Sequence, residues 1–249
     1  MHRYFVNISY SGKGYVGWQI QPNGITIQEV LQNALSTILR QKIDVVGAGR
    51  TDTGVHAQQM FAHFDINNKL DDSVELARRL NNLLPKDISV QGIHEVENDA
   101  HSRFSALSRT YKYYITTKKD PFLFEYKYRV FFKPDIDKMN AMCEVFKEYN
   151  DFTSFSKLHS AAKTNVCHIY EAYWLQEGDD FVFTIKANRF LRNMVRAIVG
   201  TMLRIGKGVL DEEGLRQIFD SKDRHSAGDS APAHGLFLFN VEYPDNIWK

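Results

Sequence analysis

Apolar and polar residues alternate from Arg3 to Tyr10, which puts Tyr4, Val6, Ile8 and Tyr10 on one face of a strand. The period then lengthens. Val30, Leu31, Ala34, Leu35 and Ile38 recur at helical spacing up to Arg40, behind Thr26 and Glu29, which are spaced as a capping box. The β-prone run Ile43 to Ala48 and the alternating run His56 to Ile66 predict two strands. Asp72 to Leu84 reads as a helix stopped by Pro85, and Ile88 to Val96 as a strand. The order is β-α-β-β-α-β, the ferredoxin-like split unit. The second half repeats it coarsely. Thr110 to Thr117 reads as a strand and Asp137 to Tyr149 as a helix. Ile169 to Gln176 and Phe181 to Ala187 form a hairpin, helices follow at Arg189 to Ile205 and Glu212 to Phe219, and Leu236 to Val241 is the last strand. The class is therefore α+β, with an N-terminal unit over 1–106 and a C-terminal unit over 107–249. There is no low-complexity linker and no repeat at the level of sequence.

Composition narrows the class. The 249 residues, 43% hydrophobic and 24% charged, suit a globular chain of one or two domains. No apolar run is long enough to span a bilayer. Met1-His2-Arg3-Tyr4 starts a strand-like alternation instead of a signal-peptide segment, so a cytoplasmic location is expected. Cys143 and Cys167 are expected as reduced thiols, and no Cys/His spacing resembles a zinc site, so no metal is expected. Lys and Arg number 31 against 30 Asp and Glu, a formal net charge of +1. Affinity for a polyanion would thus have to come from charge separation. Acidic residues do gather at Asp71-Asp72, Glu95 to Asp99, Glu177 to Asp180 and Asp211 to Glu213. Basic residues gather at Arg103, Arg109 and Lys112, and at Arg189, Arg192 and Arg196.

Candidate chemistry concentrates in Gly49-Arg50-Thr51-Asp52-Thr53-Gly54-Val55-His56, between two strands. One carboxylate is flanked by a guanidinium, two hydroxyls and two glycines that permit tight turns and close ligand approach. Two readings compete: a surface turn with an ordinary Asp, or a catalytic loop in which Arg50 helps hold Asp52 ionised.

This octapeptide resembles the catalytic motif of the tRNA pseudouridine synthase A (TruA) family, G-R-T-D-x-G-V-H. Tyr15-Val16-Gly17-Trp18-Gln19 is similar to the family's Y-x-G-W-Q. His101-Ser102-Arg103-Phe104-Ser105-Ala106 is similar to H-A-R-F-S-A, with Ser102 in place of Ala. Arg109 to Tyr113 resembles R-x-Y-x-Y. Asp151 to Phe155, Asn193 to Gly200 and Gly235 to Leu238 match later blocks in the right order.

The resemblance implies two ferredoxin-like (RRM-like) units joined into one large, mainly antiparallel sheet with a central active-site cleft. It implies an isomerase that converts uridine to pseudouridine in the tRNA anticodon stem-loop, at positions 38, 39 and 40, without a cofactor and as a homodimer. It makes Asp52 the essential carboxylate, acting as nucleophile or base on the flipped nucleotide. It also implies that Tyr111 stacks on the target base and that Arg196 pairs with the aspartate. Arg50 would displace the target nucleotide, an ion pair fixing the loop being the other reading of that residue. Thr51, Phe104, Asn188 and Phe190 are further substrate-binding candidates, and Tyr15 and Trp18 are expected at the cleft mouth. At helical spacing Arg189, Arg192 and Arg196 form one stripe. Tyr113 is expected in the core, and His56 and His101 in structural or RNA-contacting roles.

Two other functions have distinct signatures. An RNA-binding protein of paired RRM-like units would show solvent-facing aromatics in an RNP-like pattern, which is not found. A glycosidase-type hydrolase would need two working carboxylates, and only Asp52 has a motif around it.

Overall fold

The computed structural model describes residues 1–157 and 164–249. Among them are five α-helices and nine strands, mainly antiparallel, in the α+β class expected. The chain divides into two compact units. Unit 1 comprises Met1–Leu107 with Leu238–Lys249, and unit 2 comprises Ser108–Phe237.

In unit 1 the order is β1 (His2–Tyr10), α1 (Ile27–Leu39), β2 (Val46–Gly47), β3 (His56–Ile66), α2 (Ser73–Leu83) and β4 (Ile88–Val96). Strand β1 lies between β4 and β3 and is antiparallel to both, in a register that sets Tyr4 opposite Phe64 and Phe5 opposite His63. The helix caps follow the sequence signals. Thr26 Oγ1 accepts from Glu29 N at 3.3 Å, and Asp72 Oδ1 accepts from Val74 N and Glu75 N at 2.8 and 2.9 Å. The expected strand over Ile43 to Ala48 shortens to β2, because Ile43 N and Val45 N bond instead to Ser36 Oγ and Gln32 Oε1 of α1.

The face of β1 away from Tyr4, Val6, Ile8 and Tyr10 is buried too. Phe5 packs edge-on against Tyr243 at 5.2 Å and Trp248 at 5.8 Å. These aromatics come from the C-terminal segment, which belongs to unit 1 and not to the second unit, as a single cut near Ala106 would have it. Local pattern shows each strand but not its partner. Here β9 (Leu236–Glu242) lies next to β3, Val241 N bonds to Gln59 Oε1 at 2.9 Å, and Tyr243 Oη donates to Ser102 O at 2.5 Å.

Unit 2 contains β5 (Ser108–Thr116), β6 (Tyr128–Arg129), α3 (Ile136–Glu148), β7 (Ile169–Glu177), β8 (Asp180–Ala187), α4 (Met194–Gly206) and α5 (Glu212–Ser221). The order β5-β8-β7 is antiparallel, and β6 runs parallel to the end of β5. The Asp151 to Phe155 block is core-building. Asp151 Oδ1 accepts from Thr153 N at 3.0 Å, and Phe152 and Phe155 are buried against Phe219 of α5.

Helix α4 begins at Met194, five residues after the expected start at Arg189, so Arg189, Arg192 and Arg196 form no helical stripe. The delay has a backbone cause. Asn193, the N-cap, has φ of 66°, a left-handed conformation that interrupts a right-handed helix.

Candidate active site

The Asp52 loop is held from behind by backbone and buried hydroxyls. Thr51 is buried, its Oγ1 lies 2.9 Å from Tyr10 Oη, and its carbonyl accepts from Trp18 N at 3.1 Å. Val55 N returns to Asp52 O at 3.1 Å and closes the turn. Gly17 makes the close approach feasible. It has φ of +102°, and a Cβ there would sit 2.6 Å from Thr51 O. Gly54 likewise adopts a positive φ of 78°, whereas Gly49 does not, and a Cβ on Gly49 would meet open space. The loop thus needs Gly17 and Gly54 for its own conformation, and Gly49 leaves room in front.

With Thr51 pinned inward, Asp52 is half-buried and Arg50 is exposed. Arg50 makes no hydrogen bond or ion pair among the described residues. His56 is buried at the loop's exit, and its Nδ1 accepts from Gly12 N at 3.0 Å, which is structural work.

The two aromatics expected at a cleft mouth are both buried within unit 1. Trp18 is 2% exposed, and its ring fills the space over Gly47, where a Cβ would come within 2.5 Å. Tyr15 is also buried, and its hydroxyl donates to Asp87 Oδ1 at 2.8 Å. Burial and then this bond raise its pKa well above the ordinary phenol value. Large rings on a short loop gain more by filling the core than by staying in water.

The His101 to Ala106 block is a tight turn on the same unit. His101 N donates to Ser105 Oγ at 2.9 Å, and His101 Nδ1 accepts from Arg103 N at 3.1 Å. Ser102, where the family pattern has Ala, donates to Val46 O at 2.7 Å. The turn projects Phe104, 75% exposed, with the His101 ring at 4.4 Å and the Arg103 guanidinium 5.4 Å from its centroid. Beneath it His63 Nδ1 lies 2.9 Å from Ser102 Oγ. Burial first, then the Arg3 and His101 charges, push the His63 pKa down to about 4.

In unit 2, Tyr113 is fully buried in the core as expected, and its hydroxyl donates to Pro232 O at 2.8 Å. Tyr111, two residues earlier on the same face of β5, is only half-buried. The Phe190 ring stands edge-on to it at 5.1 Å, which fixes the orientation of the phenol ring. Asn188 is used structurally. Its Oδ1 accepts from His168 N at 2.8 Å and its carbonyl from Arg109 Nη1 at 2.9 Å.

Arg196 projects from the first turn of α4. Its Nε donates to Ala231 O at 2.7 Å, and Ala231 N donates back to Arg196 O at 2.9 Å. That strap lies directly on the helix because Gly200 has no side chain: a Cβ there would sit 1.7 Å from Asp229 O. Asn193 Nδ2 and Arg224 Nη2 both donate to Ser230 Oγ, at 2.5 and 2.9 Å, and hold the strap. Neither Tyr10 nor Asn193 stood out as a positioning residue in the sequence, since each acts through a contact distant along the chain.

Among the described residues, no group of three or more His, Cys, Asp or Glu is placed to hold a metal ion. No helix there is long and apolar enough to cross a membrane. Both cysteines are free and buried, and burial pushes the Cys143 thiol up to about 12 and that of Cys167 up to about 11, which makes them inert at neutral pH.

The family model for tRNA pseudouridine synthase matches residues 7–105 and 148–244, more than half of the chain. A protein of Parabacteroides distasonis named tRNA pseudouridine synthase A is 55% identical over 248 residues, covering 100% of this chain and 98% of its own. Its namesake in Bacteroides thetaiotaomicron is 56% identical over 252 residues, covering 100% and 93%. At a greater distance, that of Francisella tularensis is 38% identical over 251 residues, covering 100% and 97%. By full-length similarity and family match, the chain belongs to the tRNA pseudouridine synthase family, a family of isomerases.

Proposed function

We propose that this protein isomerises uridine to pseudouridine in the anticodon stem-loop of tRNA, at positions 38, 39 and 40, with Asp52 as nucleophile or base. The observation that carries the reading is the Asp52 loop, where Tyr10 and Trp18 bond to buried Thr51, Gly17 allows the close approach, and half-buried Asp52 lies two residues from the exposed, unpaired Arg50.

The reaction breaks the N1–C1′ bond of uridine, turns the detached uracil, and forms a C5–C1′ bond. The C5 proton leaves, and N1 gains one, so the product is an isomer and no redox partner is consumed. A carboxylate serves either route to bond cleavage, by adding to C1′ or by removing a sugar proton. Arg196 is assigned as the cation for that carboxylate, and Tyr111 as the aromatic face for the target base. Arg50 is assigned to the place vacated when the nucleotide leaves its stack, since a planar guanidinium stacks and also pairs with phosphate. Thr51 positions Asp52, and exposed Phe104 is assigned to an RNA contact. The active form is proposed as a cytoplasmic homodimer, because joining two chains of net charge +1 lengthens the track of basic residues available to RNA.

Incubation with an unmodified tRNA transcript, then pseudouridine mapping and sedimentation, tests the reading. Isomerised uridine at one or more of the three positions, from a dimer, supports it. Free uracil would indicate a hydrolase, and intact uridine a binding protein. Activity on pre-folded tRNA is expected to survive chelation; loss restored by one specific metal would count against the cofactor-free reaction.

A further inference from the structure

A cleft of about 480 Å³ opens at the end of β5 in unit 2, away from Tyr111 and Arg196 along the chain and used by none of the steps above. Its walls are mainly apolar. Leu123, Phe124, Tyr128 and His234 contribute to them, with Lys119 and Arg129. The wall is built, not frayed. Asp120 Oδ1 accepts from Phe122 N and Leu123 N at 2.7 and 3.2 Å, and Leu123 O accepts from Tyr126 N and Lys127 N, both at 2.9 Å. That turn holds Phe124 62% exposed, an orientation that gains nothing from burial within the chain. On the other side the rings of Tyr128 and His234 meet edge-to-face at 6.1 Å. Burial lowers the His234 pKa.

The charges around this apolar space are uneven. Lys118 pairs with Asp179 at 3.0 Å, and Lys127 pairs with Asp180. Lys119 and Arg129 have no carboxylate partner among the described residues. The Arg129 guanidinium lies 4.7 Å from the Phe131 centroid, and its Nε is buried without a hydrogen-bond acceptor. A purely apolar plug would leave both cations uncompensated. A ligand that is flat, apolar on its faces and anionic at one edge satisfies both requirements. We propose that this cleft takes one unstacked nucleotide of the RNA substrate, its base against Phe124, Tyr128 and His234 and its phosphate towards Lys119 and Arg129. The identity of the ligand as RNA rests on the function proposed above; the ligand chemistry rests on the cleft.

The test is filter binding of a tRNA transcript across a range of salt, with pseudouridine formation and sedimentation measured on the same preparations. Phe124→Ala is expected to weaken binding about 5- to 20-fold with little change in salt dependence, because it removes stacking. Phe124→Tyr, which keeps a ring, is expected to retain affinity. Lys119→Ala is expected to weaken binding about 2- to 5-fold and to flatten the plot of log Kd against log salt by about one. Val74→Ala, an exposed position on α2, is the control and is expected to bind as the parent does. Affinity within about two-fold of the parent for both Phe124→Ala and Lys119→Ala would overturn the proposal. So would a loss that appears only together with a fall in sedimenting mass, since the occupant would then be a second copy of the chain. A parent protein that forms no pseudouridine but loses RNA affinity through Phe124→Ala would refute the assigned reaction and leave the cleft standing. An active enzyme whose affinity ignores both substitutions would do the reverse.

Discussion

In unit 1 the Asp52 loop is held by backbone groups, whereas in unit 2 Tyr111 and Arg196 stand on a regular strand and a regular helix. The loop depends on atoms that are absent. Gly17 carries no Cβ against Thr51 O, and Gly47 none against Trp18. Tyr111 depends instead on a neighbouring ring, and Arg196 on a strap fastened through Ala231 and Ser230. A loop is free to present a carboxylate and a guanidinium in opposite environments two residues apart, Asp52 half-buried and Arg50 exposed, which a strand or helix would not do so cheaply. The cost is sensitivity to small changes behind it.

The largest expected effect is that of Asp52→Asn. The exchange is nearly isosteric and leaves the turn to Val55 in place, but it removes the negative charge and nucleophilicity that both routes need. Pseudouridine yield is expected to fall on the order of 10³-fold or more, with filter-binding affinity for tRNA largely kept because it rests on many phosphate contacts. Appreciable turnover by a folded, non-deamidated sample would move the catalytic assignment to another residue.

Arg50→Ala is next. Exposed and unpaired, Arg50 contributes little to the fold, so the melt is expected to stay within about 1–2 °C of the parent while turnover drops on the order of 10²-fold. Single-turnover rates on duplex-embedded and unpaired target uridines separate the roles. A deficit confined to the embedded target supports nucleotide displacement, and equal deficits would reassign the side chain to some other service.

A pair of glycine substitutions sharpens the comparison directly. Gly17→Ala is expected to cost ~2–3 kcal/mol and to lower the melting temperature by roughly 5–10 °C, because it combines a strained φ with a clash against Thr51 O. Gly49→Ala, on the open side of the same loop, is expected within about 0.5 kcal/mol of the parent by thermal melting. Equal losses at the two positions would mean that the loop is not braced from behind.

The smallest effect concerns pH. His63 is kept neutral in the fold with its pKa down to about 4, whereas in the unfolded chain it titrates near the ordinary 6.5. The unfolded state therefore binds the extra proton between these values. The His63 contribution to stability is complete above about pH 6.5 and is lost as pH drops towards 4, by about 1 kcal/mol per pH unit. His101, also lowered by burial, acts in the same direction. Denaturant melts from pH 7 to pH 4.5 check the slope, which His63→Asn is expected to flatten even if its overall stability is lower.

Much of the architecture was legible because it is local. The alternation from Arg3 to Tyr10, the cap at Thr26 and the strand His56 to Ile66 appear where the pattern placed them. Helix periodicity misled at Arg189 to Asn193, where arginines and apolar residues at helical spacing lie outside the helix. No pattern of side chains reports that Asn193 will take a left-handed φ to meet Ser230. The Asp52 loop stood out as candidate chemistry because an aspartate, an arginine and two glycines crowd into eight residues. Its supports were not, since Tyr10 reads as an ordinary strand residue until its hydroxyl meets Thr51.

Class, the main strands and helices, and the make-up of the Asp52 loop could be read from local residues, because periodicity, caps and turns depend on positions a few apart, whereas the two-residue strand β6 is too short to show a period. Only the folded chain shows that Trp18 backs Thr51, that Tyr15 is buried with its hydroxyl on Asp87, that Leu238–Lys249 completes unit 1, and that an exposed Phe124 stands beside unpaired cations. These depend on which surfaces meet across tens to hundreds of residues. There, burial of large rings and satisfaction of backbone donors are settled jointly by the whole chain, and no window of sequence contains both partners.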